Sequence, residues 1–119
     1  MGYRSDVLIV YHGPKEVVQT FAVAAKLGGY EKAIAEMSFK DSLGNCALGV
    51  RFNDLKWRSI YPDVKIHEDL WDYAQEFENL SGSFCRIGED DDDDNEKRSF
   101  GEAFDPINLN RSISCDYDF

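Results

Sequence analysis

The sequence is poor in cysteine and histidine, and it contains no long hydrophobic run. No apolar stretch exceeds five residues, whereas a helix that crosses a membrane needs about 20. The opening residues, Met-Gly-Tyr-Arg-Ser-Asp, also lack the apolar stretch of a secretory signal peptide. Both absences predict a protein of the cytoplasm.

The cysteines do not form a disulfide framework. Cys46, Cys85 and Cys115 are odd in number, widely spaced and not arranged as C-x-x-C, the pattern expected of redox or metal sites. Each lies in a segment that has the character of a strand. We therefore predict reduced thiols that are buried in the core.

Motifs for catalysis are also missing. The chain has no P-loop, no G-x-G-x-x-G and no H-E-x-x-H. Of its two histidines, His67 shares the apolar side of a predicted helix with Leu70 and Trp71, which favours a packed core residue. His12 ends the first predicted strand, and no nucleophile stands at a spacing from it that implies a triad. The sequence favours a protein that is not an enzyme, and no cofactor is predicted.

The composition is that of one globular domain. The chain has 119 residues, of which 43% are hydrophobic and 13% are aromatic. A domain of this size can bury about two-thirds of the surface that its unfolded chain exposes. A single α+β domain over residues 1–119 is therefore expected, with an acidic loop at residues 89–96.

The first half of the chain predicts a strand followed by a helix. Residues 3–11 contain a continuous apolar run, which is typical of a central strand. Pro14 suits the start of a helix, since the amide that it lacks would have no partner there. Apolar residues recur at helical spacing over residues 17–25, and Gly28-Gly29 stops that helix.

The remaining elements complete a ferredoxin-like order. Residues 36–41 and 46–56 predict a β-hairpin, residues 61–80 a second helix, and residues 83–87 a short strand. Alternating apolar and polar residues over 111–118 predict a terminal strand. The order β-α-β-β-α-β with an extra C-terminal strand predicts a ferredoxin-like α+β fold, in which an antiparallel sheet carries both helices on one face.

The negative charge is concentrated in the second half of the chain. The formal net charge is −10, and it divides into +2 over residues 1–60 and −12 over residues 61–119. Seven of the eight residues from 89 to 96 are acidic. Such a field repels nucleic acid and favours basic partners.

A calcium loop within the acidic run is the alternative of sharpest chemistry, and its pattern is incomplete. A loop that starts at Asp91 has suitable ligands at Asp93 and Glu102. Its sixth position is Glu96, where the sharp turn needs glycine. We therefore predict no specific metal site, and a solvated loop is the simplest interpretation of the run.

Helix two offers a surface that this loop could extend. Acidic residues recur there at three- and four-residue spacing, which places them on one outward side of the helix. If the acidic run folds beside them, the two segments form one partner-binding surface. The predicted residues are Glu68, Asp69, Asp72, Glu76, Glu89, Asp90, Asp91, Asp92, Asp93, Asp94 and Glu96.

Several short motifs are spread over most of the chain. They are Met-Gly-Tyr-Arg-Ser-Asp-Val at residues 1–7, Lys-Trp at 56–57 with Tyr-Pro-Asp-Val at 61–64, Leu-Trp at 70–71, Arg-Ile-Gly-Glu-Asp at 86–90 and Ser-Phe-Gly at 99–101. Together they resemble a group of small proteins encoded by tailed bacteriophages. The resemblance implies a phage origin and a life inside a bacterial host. It implies no activity.

These observations predict a phage accessory protein in the host cytoplasm. It would bind and modulate a basic, nucleic-acid-binding host protein through its acidic surface, in the manner of a DNA mimic. Two alternatives remain open at the level of the sequence: a small-ligand or metal-dependent enzyme centred on His12, and a self-associating structural domain. Direct binding of nucleic acid is disfavoured by the net charge.

Overall fold

The computed structural model describes residues 5–42, 45–55, 62–88, 96–101, 107–109 and 113–115. Its strands are β1 (Ser5–Pro14), β2 (Ser38–Ser42), β3 (Asn45–Leu55), β4 (Ser81–Gly88), β5 (Glu96–Phe100), β6 (Ile107–Leu109) and β7 (Ile113–Cys115). Its helices are α1 (Lys15–Ala25), α2 (Glu31–Ala35) and α3 (Pro62–Ala74), with a kinked π-helical turn (Lys26–Tyr30) between α1 and α2.

Five strands form one antiparallel sheet in the order β2-β3-β1-β4-β5. The first four positions of that order are those of the split β-α-β arrangement, so the predicted ferredoxin-like α+β fold is confirmed. The extra strand of the sheet is β5, which pairs with the outer edge of β4. The predicted terminal strand contains β7, which pairs with β6 in a separate two-stranded sheet.

Strand β1 lies at the centre because its apolar run fills both sides of the sheet. Ile9 faces the helices beside Val50 and Phe84. Its neighbours Leu8 and Val10 point to the opposite side, and both are fully buried. Successive side chains of a strand point to opposite faces, so a run that is apolar at every position suits a strand covered on both.

The first helical segment follows the predicted course. Helix α1 begins after Pro14 and buries one stripe against the sheet, formed by Val18, Phe21, Ala22 and Ala25. Gly29 then adopts a φ of 99° and breaks the helical geometry, which a residue with a Cβ rarely does. The chain then becomes helical again in α2, which buries Ala33 and Ile34.

Helix α3 is shorter than the sequence predicts. It ends at Ala74, although the periodic pattern extends to residue 80. The amides of Gln75, Glu76 and Phe77 bond to carbonyls three residues earlier, so the last turn tightens and the helix cannot continue. Glu76 therefore lies in the turn that follows α3.

The sheet is also covered on the side away from the helices. Leu8, Val10 and Cys85 point to that side and are fully buried. The β6–β7 sheet lies against β1 and β4, so it covers this second side. Gly101 follows β5 and has a φ of 88°. A Cβ at Gly101 would lie only 2.7 Å from the Ser81 Cα.

Candidate interaction surface around helix α3

Helix α3 separates its acidic residues into two environments. One environment adjoins β5, where Glu68 meets Arg98. The other adjoins the kinked turn after α1, where Asp69, Asp72 and Glu76 line an open depression. We call the first the Arg98 cluster (Glu68, Trp71, Phe84, Glu96 and Arg98) and the second the tyrosine depression (Tyr30, Asp69, Asp72, Tyr73 and Glu76).

The Arg98 cluster is held together by paired hydrogen bonds. Arg98 donates from Nη1 to Oε2 of Glu68 and from Nη2 to Oε1 of Glu68, both at 3.1 Å. The Arg98 Nη2 also lies 3.0 Å from Oε1 of Glu96. Burial of Arg98 opposes its charge, but its bonds with Glu68 and Glu96 outweigh that effect and raise its pKa. One guanidinium thus joins α3 to the first residue of β5.

Aromatic rings position that guanidinium. The Cζ atom of Arg98 lies 4.1 Å from the ring centroid of Phe84 and 5.8 Å from that of Trp71. Trp71 in turn packs edge-on against Phe100 at 5.0 Å. Stacking on these rings restricts the rotamers of Arg98 and adds a cation–π attraction. Because Glu68 is bound to Arg98, a residue of the protein itself neutralises its charge.

The tyrosine depression has a different character. Its volume is about 310 Å³, and its floor contains Tyr30 and Tyr73, whose rings stack at 5.2 Å with 30° between their planes. The kinked turn passes beside both rings: a Cβ added at Gly28 would lie 3.8 Å from the Tyr30 ring and 3.9 Å from the Tyr73 ring. Asp72 and Glu76 are exposed at its border.

Only one of the three carboxylates of the depression has a cationic neighbour among the described residues. Lys65 lies 3.1 Å from Asp69, one helical turn earlier on α3. Both side chains of that pair are about half exposed or more, so its net stabilisation is small. No described cation pairs with Asp72 or Glu76. Their charges remain available to a molecule that enters from solvent.

Strands on either side of the acidic run pair with each other in the sheet. Arg86 in β4 is opposite Glu96 in β5. The predicted surface residues Glu89 to Asp94 themselves lie outside the described residues, as do the first ligands of the calcium-loop alternative. Glu96 is described, and it reaches Glu68 only through Arg98.

The predicted surface is therefore brought together in part. Asp69, Asp72 and Glu76 share the tyrosine depression, even though Glu76 lies beyond the end of the helix. Glu68 and Glu96 share Arg98 instead. The spacing of the acidic residues along the helix predicted that they share one side. It did not indicate the arginine that binds Glu68.

Both histidines are buried. His67 is 1% exposed, and the ring of Phe52 lies edge-on to it at 5.2 Å. The prediction of a packed helix histidine is confirmed. His12 is 4% exposed and stands opposite Ser81 on the second side of the sheet. Its imidazole is therefore almost entirely shielded from solvent.

Two of the three cysteines are described well enough to test their prediction. Cys46 and Cys85 are buried, free thiols, as expected. Burial, followed by a hydrogen bond with Asp41, raises the pKa of Cys46 to about 11. The thiol of Cys46 is thus kept in its neutral, unreactive form. The side chain of Cys115 lies outside the described residues.

Five residues of the two clusters are missing from the predicted surface: Tyr30, Trp71, Tyr73, Phe84 and Arg98. Tyr73 follows Asp72 directly, and a helical wheel would place it at the border of the acidic side. Tyr30 lies after a Gly-Gly pair, where no periodic pattern indicates its direction. Arg98 stands two residues after the acidic run, in a stretch for which the sequence predicts no element.

Comparisons with known proteins add no assignment. No family model, no curated protein and no solved structure matches this chain. None of the helices in the described parts of the chain has the length and apolarity to span a membrane. Within those same parts, no three side chains of His, Cys, Asp or Glu converge closely enough to hold a metal ion.

Proposed function

We propose that this chain is a non-catalytic binding protein that occupies a basic, nucleic-acid-binding protein through its acidic surface. The observation that carries the proposal is the tyrosine depression, where Asp69, Asp72 and Glu76 converge on one open side of the molecule. Carboxylates that are exposed and mostly unneutralised attract cations at long range.

The proposal also includes the acidic run, because the residues that flank it in the sequence pair within the sheet. Glu96 is linked to α3 through Arg98, and the run that precedes it is anchored at Gly88, which pairs with β1. Both anchors lie beside the sheet that carries α3. The proposal therefore treats the run and the exposed acids of α3 as parts of one field, which accounts for most of the net charge of −10.

A nucleic-acid-binding protein is the partner class that fits such a field best. Its binding groove presents lysines and arginines that are spaced to meet phosphates. The carboxylates of α3 and of the acidic run offer anionic groups in their place. Such an interaction would compete with nucleic acid and would weaken as the salt concentration rises.

The phage-like motifs set the biological context of the proposal. A phage protein that acts in the cytoplasm of a bacterial host meets many nucleic-acid-binding enzymes. Occupying one of them modulates the host without any chemistry by the phage protein. The fold itself leaves the activity open, because ferredoxin-like folds serve many functions.

The test is capture from a bacterial lysate by the immobilised protein, with washes from about 50 mM to about 200 mM salt. We expect a retained protein that short duplex DNA displaces. The variant Asp72→Asn/Glu76→Gln should retain much less of it. The matched control Glu16→Gln/Glu31→Gln removes the same charge from exposed positions outside the depression and should retain it.

Two results would count against the proposal. Retained proteins that duplex DNA does not displace would exclude mimicry of nucleic acid. An equal loss of binding in the variant and its control would show that only total charge matters, and that the depression has no part in the contact.

A further inference from the structure

The tyrosine depression is more than a group of acids, because its floor is aromatic. Tyr30 comes from the kinked turn and Tyr73 from α3, and their rings stack at 5.2 Å. Tyr73 is supported from below, edge-on, by Phe77 at 5.3 Å. A supported aromatic pair that remains partly exposed presents the electron-rich surface that attracts organic cations.

The size of the depression restricts its occupant. A volume of about 310 Å³ lies at the lower limit of ligand pockets, and the depression is open to solvent. That space suits one long side chain that enters from outside. The two carboxylates without a described cation, Asp72 and Glu76, stand at its border and require a positively charged group for neutralisation.

We infer that the tyrosine depression holds an arginine side chain of a protein partner, with its guanidinium against the rings of Tyr30 and Tyr73 and its charge facing Asp72 and Glu76. Arginine fits better than lysine. Its planar guanidinium stacks on aromatic rings and donates to two carboxylates at once, whereas an ammonium is compact and strongly hydrated. The inference rests on the proposed function and specifies the anchor of the same surface.

The inference can be tested without a partner. The full chain, labelled with ¹⁵N, is titrated with N-acetyl-arginine amide, with the corresponding lysine amide and with the neutral citrulline amide, and amide chemical shifts are recorded. We expect saturable shifts at Tyr30 and Tyr73 with the arginine probe, at a Kd on the order of millimolar. The citrulline probe should produce none.

Variants separate the two contributions to binding. Asp72→Asn/Glu76→Gln should weaken the arginine probe by about two- to fivefold for each carboxylate, the factor of an exposed ion pair. Tyr30→Leu should weaken it by a similar factor through loss of the cation–π contact. Glu16→Gln/Glu31→Gln should leave it unchanged.

Three outcomes would overturn the inference: shifts that citrulline reproduces, shifts spread over all acidic residues, or the same affinity in the control and in Asp72→Asn/Glu76→Gln. Its failure is distinguishable from failure of the proposed function. If lysate capture depends on Asp72 and Glu76 while the arginine probe does not bind, the arginine anchor is wrong and the acidic surface stands. If the probe binds and nothing is captured from the lysate, the proposed function is wrong and the arginine-binding depression stands.

Discussion

Two adjacent groups of acidic residues on helix α3 and the turn after it have opposite roles. Beside β5, Glu68 is bound by Arg98 over the rings of Trp71 and Phe84. Further along, Asp72 and Glu76 border an open hollow and meet no described cation. The comparison shows that the role of an acidic residue on an exposed helix stripe depends on which residues from other elements contact it. The Arg98 cluster stabilises the fold, and the tyrosine depression is left for a partner.

The largest test of this contrast removes the aromatic centre of the Arg98 cluster. Trp71 is 6% exposed and contacts Tyr11, Phe84 and Phe100. Trp71→Ala should lower the free energy of unfolding by about 3–5 kcal/mol, the cost of an emptied aromatic site in a core. Urea denaturation measures it. Leu27→Ala, at an exposed position, should change that free energy by less than about 0.5 kcal/mol.

The next effect isolates the ion pair. Arg98→Met keeps an apolar stem over the rings but removes the guanidinium that binds Glu68. We expect a loss of about 1–2 kcal/mol, reduced from a fully buried pair because both side chains are about one-third exposed. A double-mutant cycle with Glu68→Gln should give a coupling of about 1 kcal/mol. A coupling of zero would mean that Arg98 acts only through the rings.

The titration of Tyr11 tests whether water is excluded from the core beneath the Arg98 cluster. Burial raises the pKa of its phenol above the ordinary value of 10.0, and the charge of Glu68 adds to the effect. The folded state therefore favours the neutral phenol, which stabilises the protein fully below pH 10 and progressively less as the pH rises above it. Because no described residue bonds to its hydroxyl, Tyr11→Phe should cost less than about 1 kcal/mol at neutral pH.

The same variant should flatten the decline of stability at high pH. Comparison of urea denaturation at about pH 8 and about pH 10.5 measures this. The thiol of Cys46, with a pKa raised from 9.0 to about 11, contributes a loss of the same sign between those two values. An identical decline in Tyr11→Phe and the natural sequence would contradict a buried phenol.

The smallest effect on stability belongs to the tyrosine depression. Asp72→Asn/Glu76→Gln should change the free energy of unfolding by less than about 0.5 kcal/mol, since both side chains are exposed and have no described ion pair. A slight gain is expected where repulsion from Asp69 is relieved. A loss above about 1 kcal/mol in urea denaturation would show that these acids support the fold. The Arg98 cluster and the tyrosine depression would then not differ in role.

Much of the fold follows from periodicity in the sequence. The continuous apolar run around Ile9 predicted the central strand, and the alternating residues of β3 predicted the hairpin with β2. Both are confirmed, because local patterns match the covering of each face. The end of α3 was placed too late, since Phe77 continues the helical spacing even though the backbone there has already tightened into a turn.

The candidate site was predictable only in outline. Helical spacing grouped the acids of α3, but the pairing of Glu68 with an arginine thirty residues later depends on the register of β5. The stacking of Tyr30 on Tyr73 depends on the kink at Gly29. Contacts of this kind are set by tertiary structure, and no local pattern encodes them.

The most direct test measures two quantities for each of three variants: capture of the partner and the free energy of unfolding. Salt-dependent, DNA-displaceable capture is measured for Asp72→Asn/Glu76→Gln, for Glu68→Gln and for the control Glu16→Gln/Glu31→Gln, beside urea denaturation of each. The account predicts that the first variant loses capture at unchanged stability, that Glu68→Gln loses stability with capture largely kept, and that the control loses neither. The central claim is contradicted if Glu68→Gln and Asp72→Asn/Glu76→Gln reduce capture to the same extent.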